Sequence, residues 1–476
     1  MLLGENIHRG KTRAARIPAK LRPRHCYIAG ASGTGKSTLL LNMIVQDIEA
    51  GQGVGVLDPH GDLINAVLPR IPAHRVDDVI LFDPTDEAFP FALNILSAAD
   101  DRERERIVGE TLMSLERYFP ASWGPRLERI LTFAIHTVLS VDSNSTLDDV
   151  ERLLIDNDFR YSIIERTTVP RYRQFWQDEF TKLPKNAVDP VLNKLSVFLM
   201  SRTVCNIVCQ RRCAIDFDDA INSGKILLGN LSTGLLTEKI ANILGSFLVT
   251  KIVNAAFRRA TLPQDQRRPF YLYVDEFQNF VNMSVGFERV LSEARKYNLC
   301  LAGLANQYIG QLSPTVRQAI FGNIGVMVVF RLGVEDANIA AREMGVFTAE
   351  EILNLEVGEA IARAGGSKTA YNLKTYPDPP RTKGDPTESI KARMHTEFAK
   401  PRDEVERELA GIEELQPAEP PVKQPGAVPA RPPNRGKRHK ASAGKSKEDD
   451  KRPPRKPPAG KAPVEPTDPD EDDLVT

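Results

Sequence analysis

Gly30-Ala-Ser-Gly-Thr-Gly35-Lys36-Ser37-Thr38 follows the phosphate-binding pattern G-x-x-x-x-G-K-[ST]. Its flanks agree with that reading. Cys26–Ala29 is a short apolar run suited to a strand entering the loop. Ser37 to Ala50 has Leu39, Leu40, Met43, Ile44 and Ile48 at helical spacing, as expected of a helix leaving it. Glycines let backbone N–H groups turn inward around a phosphate, and a helix N-terminus adds a positive dipole end. Gly30, Gly33, Thr34, Gly35, Lys36, Ser37 and Thr38 are therefore assigned to nucleotide binding. Lys36 is placed to reach the β- and γ-phosphates and Ser37 to ligate Mg²⁺. The motif implies a nucleoside triphosphate and leaves open what its energy drives.

A chain of 476 residues can hold more than one packed core. Its apolar content of 41% is that of a globular protein. No apolar run approaches the length of a membrane span, and the basic start lacks a signal-peptide core. Five cysteines, an odd and small number, suit a reducing cytosol. The net charge of zero hides local imbalance: residues 1–24 carry seven Lys or Arg against one Glu, whereas 25–96 carry three against nine acids.

The organisation that follows is α/β, a phosphate-loop (RecA-like) core with a mostly parallel sheet. Residues 1–24 read as a basic arm. The core's first part is 25–97 and its second part 224–376. The expected strands are Cys26–Ala29, Val54–Leu57, Val79–Phe82, Ile226–Leu231, Phe270–Val274, Leu299–Leu304 and Val326–Phe330, continuous apolar runs typical of a sheet covered on both faces. Between them, 98–223 reads as an all-α insertion, with helices at Arg102–Phe119, Pro125–Val141, Thr146–Ile155, Tyr172–Phe180 and Val188–Met200. Thr146 and Asp149 form a capping-box pattern. The insertion's 17 basic and 19 acidic residues from Asp101 on give no electrostatic reason to bind nucleic acid. Residues 377–476 hold nineteen of 34 prolines and no aromatic after Phe398, so they read as mostly disordered, with one helix at Arg402–Leu415. In this tail Arg431–Lys461 is basic and Glu465–Asp473 acidic, a pattern for nucleic-acid contact, fold-back or a solvated spacer.

A second chemical element is the apolar strand Phe270–Val274 ending in Asp275 and Glu276. Beside a phosphate loop, Asp275 would hold Mg²⁺ through water and Glu276 would polarise the attacking water; such a strand is expected next to the loop strand. Leu299 to Asn306 ends in Gln307, positioned to contact the γ-phosphate or that water, or else to cap the next helix. Arg295 and Arg331 are candidates for neutralising transition-state charge, with a surface or ion-pair role as the alternative.

Several blocks, in order, resemble the conjugative DNA-transfer ATPases, or type IV coupling proteins, of the FtsK–HerA superfamily. They are Gly53–Leu63 (GVGVLDPHGDL), Ser122–Leu131 (SWGPRLERIL), Tyr273–Gln278 (YVDEFQ), Ser292–Tyr297 (SEARKY), Ala305–Gln307 (ANQ) and Val329–Leu332 (VFRL). The resemblance runs from about Gly4 to about Ile412. It implies an ATP-driven, Mg²⁺-dependent homo-hexameric ring that moves DNA through its channel, with a relaxase or type IV secretion components as partners. It implies that Gln307 senses the γ-phosphate and that Arg295 and Arg331 reach a neighbouring subunit's nucleotide. Asp58 and His60 in the Asp-Pro-His-Gly block suit a catalytic role or a capped turn equally. Family members usually begin with membrane-spanning helices. This chain opens almost at the motor, so a cytoplasmic protein, attached to the inner membrane only through partners, is expected. The alternatives are a soluble translocase of the same superfamily in repair, packaging or defence, and a nucleotide-binding scaffold that recruits a relaxase or secretion substrate without pumping.

Other features have plainer readings. Cys205, Cys209 and Cys213 lack the fourth ligand of a metal site and read as buried or half-buried thiols. Trp123-Gly124 reads as a helix entry, and Arg267-Arg268 as a loop at the end of the sheet away from the nucleotide.

Overall fold

The structure, a computed structural model, describes residues 1–411 apart from 9–10, 99, 234–235, 282–286 and 366–369. The charge blocks of the C-terminal tail lie outside the described residues.

The strands are β1 (Leu2–His8), β2 (Lys11–Arg16), β3 (Cys26–Ala29), β4 (Gly53–Asp58), β5 (Val79–Phe82), β6 (Ile226–Asn230), β7 (Phe270–Val274), β8 (Leu299–Asn306), β9 (Val326–Val329), β10 (Glu359–Ala364) and β11 (Tyr371–Thr375). They form one 11-stranded sheet in the order β2-β1-β11-β10-β9-β3-β8-β7-β4-β6-β5. From β9 to β5 the pairing is parallel; from β10 to β2 it is antiparallel. All the strands expected from sequence are present, and they make up the parallel part. Each is buried along its whole length, which is why each reads as an unbroken apolar run.

Two expectations are corrected. Residues 1–24 are not a free arm: β1 and β2 form a hairpin that extends the sheet, with Gly4 opposite Thr375 on β11. Nor are residues 377–411 disordered. The chain from Tyr376 runs back over the core, where Asn42 Nδ2 donates to the Pro377 carbonyl (2.9 Å) and the Thr382 N–H donates to that of Pro69 (3.0 Å).

The helices before the first gap between sheet strands are α1 (Lys36–Glu49) and α2 (Asp62–Val67). Between β5 and β6 lie α3 (Asp101–Tyr118), α4 (Pro125–Val141), α5 (Leu147–Ile155), α6 (Asn157–Arg166), α7 (Pro170–Gln174), α8 (Asp189–Leu199), α9 (Arg202–Val208) and α10 (Phe217–Asp219), with no strand among the described residues. After β6 come α11 (Glu238–Arg258), α12 (Gln278–Val281), α13 (Phe287–Glu293), α14 (Pro314–Asn323), α15 (Val334–Met344), α16 (Ala349–Leu353), α17 (Thr387–Glu397) and α18 (Arg402–Leu409).

Local chemistry explains several of these. Helix α4 starts with Pro125, whose missing N–H costs nothing there, and buries Leu127, Ile130, Leu131, Ala134 and Val138 along one stripe. The Thr146–Asp149 capping box opens α5, the Asp149 carboxylate accepting the Thr146 N–H at 2.9 Å. Helices α6 and α9 were not expected from the sequence. The expected Tyr172–Phe180 helix changes pitch, becoming a wider turn at Phe175–Glu179 that buries Phe175 and Trp176.

Strand alternation divides the core. Cys26, Ile28, Val54 and Val56 pack with α1 and α2 on one face of the sheet. Tyr27, Ala29, Leu57 and Phe82 join Leu131, Phe198, Leu244 and Leu248 in a second, continuous cluster. The helices between β5 and β6 thus share their apolar interior with one sheet face, and Met1–Leu415 forms one compact unit. Among the described residues one helix region, Glu238–Thr261, is long and apolar enough to cross a membrane, and 72% of its most apolar stretch is buried in the fold.

Candidate active site

Parallel strands align their carboxyl ends, and loops leaving that edge build the site. Strand β3 delivers the phosphate loop there. Gly33 (φ 73°) and Gly35 (φ 114°) take left-handed backbone that a side chain would strain. A Cβ on Gly30 would lie 2.6 Å from that of Phe330, so only glycine lets the loop leave the sheet at this point. Thr34 is buried; its hydroxyl donates to the Ala31 carbonyl (2.8 Å) and its own carbonyl accepts the Gly358 N–H (2.9 Å). Lys36 is buried at the start of α1, and its ammonium donates to the carbonyls of Gly30 (2.6 Å) and Ala31 (3.2 Å). Ser37 is exposed and Thr38 half-buried, so the Ser37 hydroxyl faces no steric bar to a cation.

The acid pair follows β7. This strand does not lie beside the loop strand: β8 stands between β3 and β7, because the chain crosses over once more before returning to the loop. The acids still meet the loop. The charges of Glu276 and Asp275 both act on Lys36, whose ammonium burial pulls below its ordinary value. Burial, and then the charges of Asp58 and Glu276, push Asp275 up to about 6, against the pull of Lys36. A cation placed against Asp275 would reverse that penalty. Glu276 is 6% exposed and takes φ 42°, a left-handed conformation rare outside glycine. Its N–H donates to Asp275 Oδ1 (3.0 Å), and Gln278 Nε2 donates to its Oε2 (2.7 Å).

Two further groups reach the same edge. Ala29 pairs with Asn306 on β8, so Gln307 leaves the sheet beside the phosphate loop, half-buried. Arg331 follows β9; its carbonyl accepts the Ala31 N–H (2.9 Å), and its side chain is exposed. Arg295 does not join them. It precedes β8, next to His25 and the start of β3, at the amino end of the sheet. The fold therefore gathers Lys36, Ser37, Asp275, Glu276, Gln307 and Arg331 and leaves Arg295 on the far side of its own chain.

The other singled-out residues have structural tasks. Asp58 caps α2, its carboxylate accepting the N–H groups of His60 (2.8 Å) and Leu63 (2.8 Å). His60 is exposed. Arg267 and Arg268 brace the amino end of the sheet by donating to backbone carbonyls of Leu262 (2.7 Å) and Gly51 (2.6 Å). Cys213 lies past the end of α9, so the three thiols share no helical face, and no metal-binding cluster occurs among the described residues. The Trp123 indole donates to Glu128 (3.3 Å) at the entry to α4. Sequence reasoning missed the Gln278–Glu276 bond, although Gln278 closes the Asp-Glu-Phe-Gln block; spacing alone cannot tell that a helix turns its amide back onto the acid.

A phosphate loop on β3, acids on β7 and an amide on β8, at one edge of a mostly parallel sheet, define a RecA-like phosphate-loop NTPase fold. Solved structures with this fold include the plasmid coupling protein TrwB in complex with the GTP analogue GDPNP (TM-score 0.56, 15% identity, 78% of this chain and 89% of that one). TrwB in complex with ADP and Mg²⁺ matches with TM-score 0.56, 14% identity and coverage of 81% and 97%. VirB4 of Thermoanaerobacter pseudethanolicus matches with TM-score 0.56, 14% identity and coverage of 80% and 97%. No protein-family model and no curated protein matches the chain. At these identities the likeness establishes a shared fold: the chain has the fold of TrwB and VirB4.

Proposed function

We propose that this chain is an ATP-hydrolysing ring motor that translocates DNA in the conjugative transfer of a mobile element, working in the cytoplasm as a homo-hexamer. The observation that carries the reading is the convergence of Lys36, Ser37, Asp275, Glu276 and Gln307 at one sheet edge. The fold shared with TrwB supports it, since TrwB has been solved with an ATP analogue and with ADP and Mg²⁺. Relaxase or secretion components are the partners this reading implies.

The loop backbone and Lys36 bind the triphosphate, Lys36 exchanging its bonds to Gly30 and Ala31 for phosphate oxygens. Ser37 and Asp275 would hold Mg²⁺, which would supply charge neutralisation at the phosphates. Glu276 accepts a proton from the attacking water, and Gln307 orients the γ-phosphate or that water. Arg331, in the same chain, stands at the loop's flank and extends outward to a neighbouring nucleotide. Arg295, at the opposite edge, serves only in trans.

The test is ATP turnover with and without DNA. Lys36→Ala abolishes binding and turnover; Glu276→Gln abolishes turnover and still binds ATP. Near-normal turnover in Glu276→Gln removes Glu276 from the catalytic role. Turnover indifferent to DNA favours the scaffold alternative.

A further inference from the structure

Gln278 opens α12 one residue beyond the acid pair, after Phe277, and is 7% exposed. Its amide nitrogen donates to Glu276 Oε2 at 2.7 Å. That bond decides which way the amide faces, because only its NH₂ end can meet a carboxylate. The carbonyl Oε1 is consequently turned away, buried and without a hydrogen-bond partner among the described residues. A glutamine kept for stability would have both ends satisfied. Here a charge-assisted bond is set against an unmade one of comparable worth, so the side chain adds little net stability.

The backbone under Glu276 tells the same story. A left-handed glutamate is a strained conformation that persists only where its surroundings over-determine it. Three backbone bonds supply that constraint. Asp275 Oδ1 accepts the Glu276 N–H, the Phe277 N–H donates to the Ala305 carbonyl (3.0 Å), and the Asn279 N–H donates to the Glu276 carbonyl (3.0 Å). These fix the main chain and leave the carboxylate itself to rotate. Among the described residues, the bond from Gln278 is the side-chain bond that fixes the carboxylate.

We propose that Gln278 is the positioning residue for Glu276, holding its carboxylate in the one orientation that meets the attacking water. This rests on the reading of Glu276 as the general base. A carboxylate free to rotate about its own side-chain bonds spends little of its time in line with the water and the γ-phosphate, and small misplacements of a reacting group cost up to about a hundredfold in rate. Substrate binding is untouched, because the phosphates are held by the loop and Lys36.

The test uses the full chain with Mg²⁺ and DNA. Gln278→Met keeps the volume and removes the donor; Gln278→Glu keeps the shape and sets a second carboxylate against Glu276. The expected result for both is a fall in kcat of roughly 10- to 100-fold with KM for ATP and the affinity for a non-hydrolysable ATP analogue within about twofold of wild type. Affinity for ADP–aluminium fluoride, whose capture requires the water in place, falls by about the same factor as kcat. Gln278→Met melts no lower than wild type. Wild-type kcat in Gln278→Met overturns the inference. So does a parallel loss of ATP-analogue affinity or melting temperature, which marks a structural role. Glu276→Gln is measured alongside: if that variant hydrolyses ATP normally, the proposed function itself fails, whereas a dead Glu276→Gln beside an active Gln278→Met refutes only the role of Gln278.

Discussion

Arg22 and Asp47 form an ion pair with side chains 8% and 7% exposed, under the sheet and away from the nucleotide edge. Tyr273 on β7 donates its hydroxyl to Asp47 Oδ2 (2.5 Å), and the guanidinium lies 4.2 Å from the Tyr271 ring centroid. Burial works against the Arg22 charge, but Tyr273 and Asp47 outweigh it and hold the guanidinium above its usual value. The cluster ties the segment before β3 to α1, which carries Lys36, and to β7, which leads to Asp275. Asp47→Ala leaves a buried guanidinium unpaired and a tyrosine hydroxyl without its acceptor. Breaking a buried pair at one end costs about 3–5 kcal/mol. For a cooperative unit of roughly 400 residues this lowers Tm by about 3–6 °C. The triple variant Arg22→Met, Asp47→Leu, Tyr273→Phe removes both charges and the Tyr273 hydroxyl at similar volume and should melt close to wild type, because the desolvation of both charges disappears with their attraction. Thermal and urea unfolding of the four proteins, with Tyr273→Phe as the last, decides it. An Asp47→Ala protein as stable as wild type, or a triple variant as weak as the single, refutes the argument that the pair acts as one closed unit.

Asp275 has a folded-state pKa raised from 3.8 to about 6, so the folded protein holds this proton longer than the unfolded chain and loses stability as pH rises across that window. Asp275→Asn should therefore stabilise the nucleotide-free protein above pH 6 by up to about 3 kcal/mol and by little at pH 4, read as Tm at the two pH values. Arg331→Ala subunits mixed with Lys36→Ala subunits should regain ATP turnover if Arg331 acts in trans, and the same mixture tests Arg295; no recovery in verified mixed oligomers, with normal melting of each parent, counts against the trans role. Asp149→Ala removes the reciprocal cap of α5 and the Arg211 ion pair at 2.8 Å, and should cost about 1–2 kcal/mol in unfolding free energy without changing nucleotide affinity.

The nucleotide-binding loop was legible because its chemistry is local. Glycines at fixed offsets, a lysine and a hydroxyl within one short run specify backbone shape and charge together. The parallel strands were legible because both their faces are buried, so each is an apolar run. The antiparallel extension was not. On β2, Lys-Thr-Arg-Ala-Ala-Arg has a single buried position, Ala15, and on β11, Tyr-Asn-Leu-Lys-Thr has only Leu373. Their place in the sheet comes from backbone pairing, which any side chain permits, and the basic composition of the first segment hid it. Residues 377–411 misled through composition: their prolines and charges masked the helices α17 and α18 and the long-range bonds from Asn42 and to Pro69 that hold the segment down.

Sequence alone, then, determined which residues form the phosphate-loop pattern and which acids stand at the end of a buried strand, since each of those signals spans only a few neighbouring residues. The tertiary structure decided how they combine. Strand order put β8 between loop and acids, sent Arg331 to the nucleotide edge and Arg295 to the opposite one, and fused the helices between β5 and β6 into the core of one sheet face. Crossover connections and shared burial link residues far apart in the chain, and no local pattern encodes which strand comes to lie beside which.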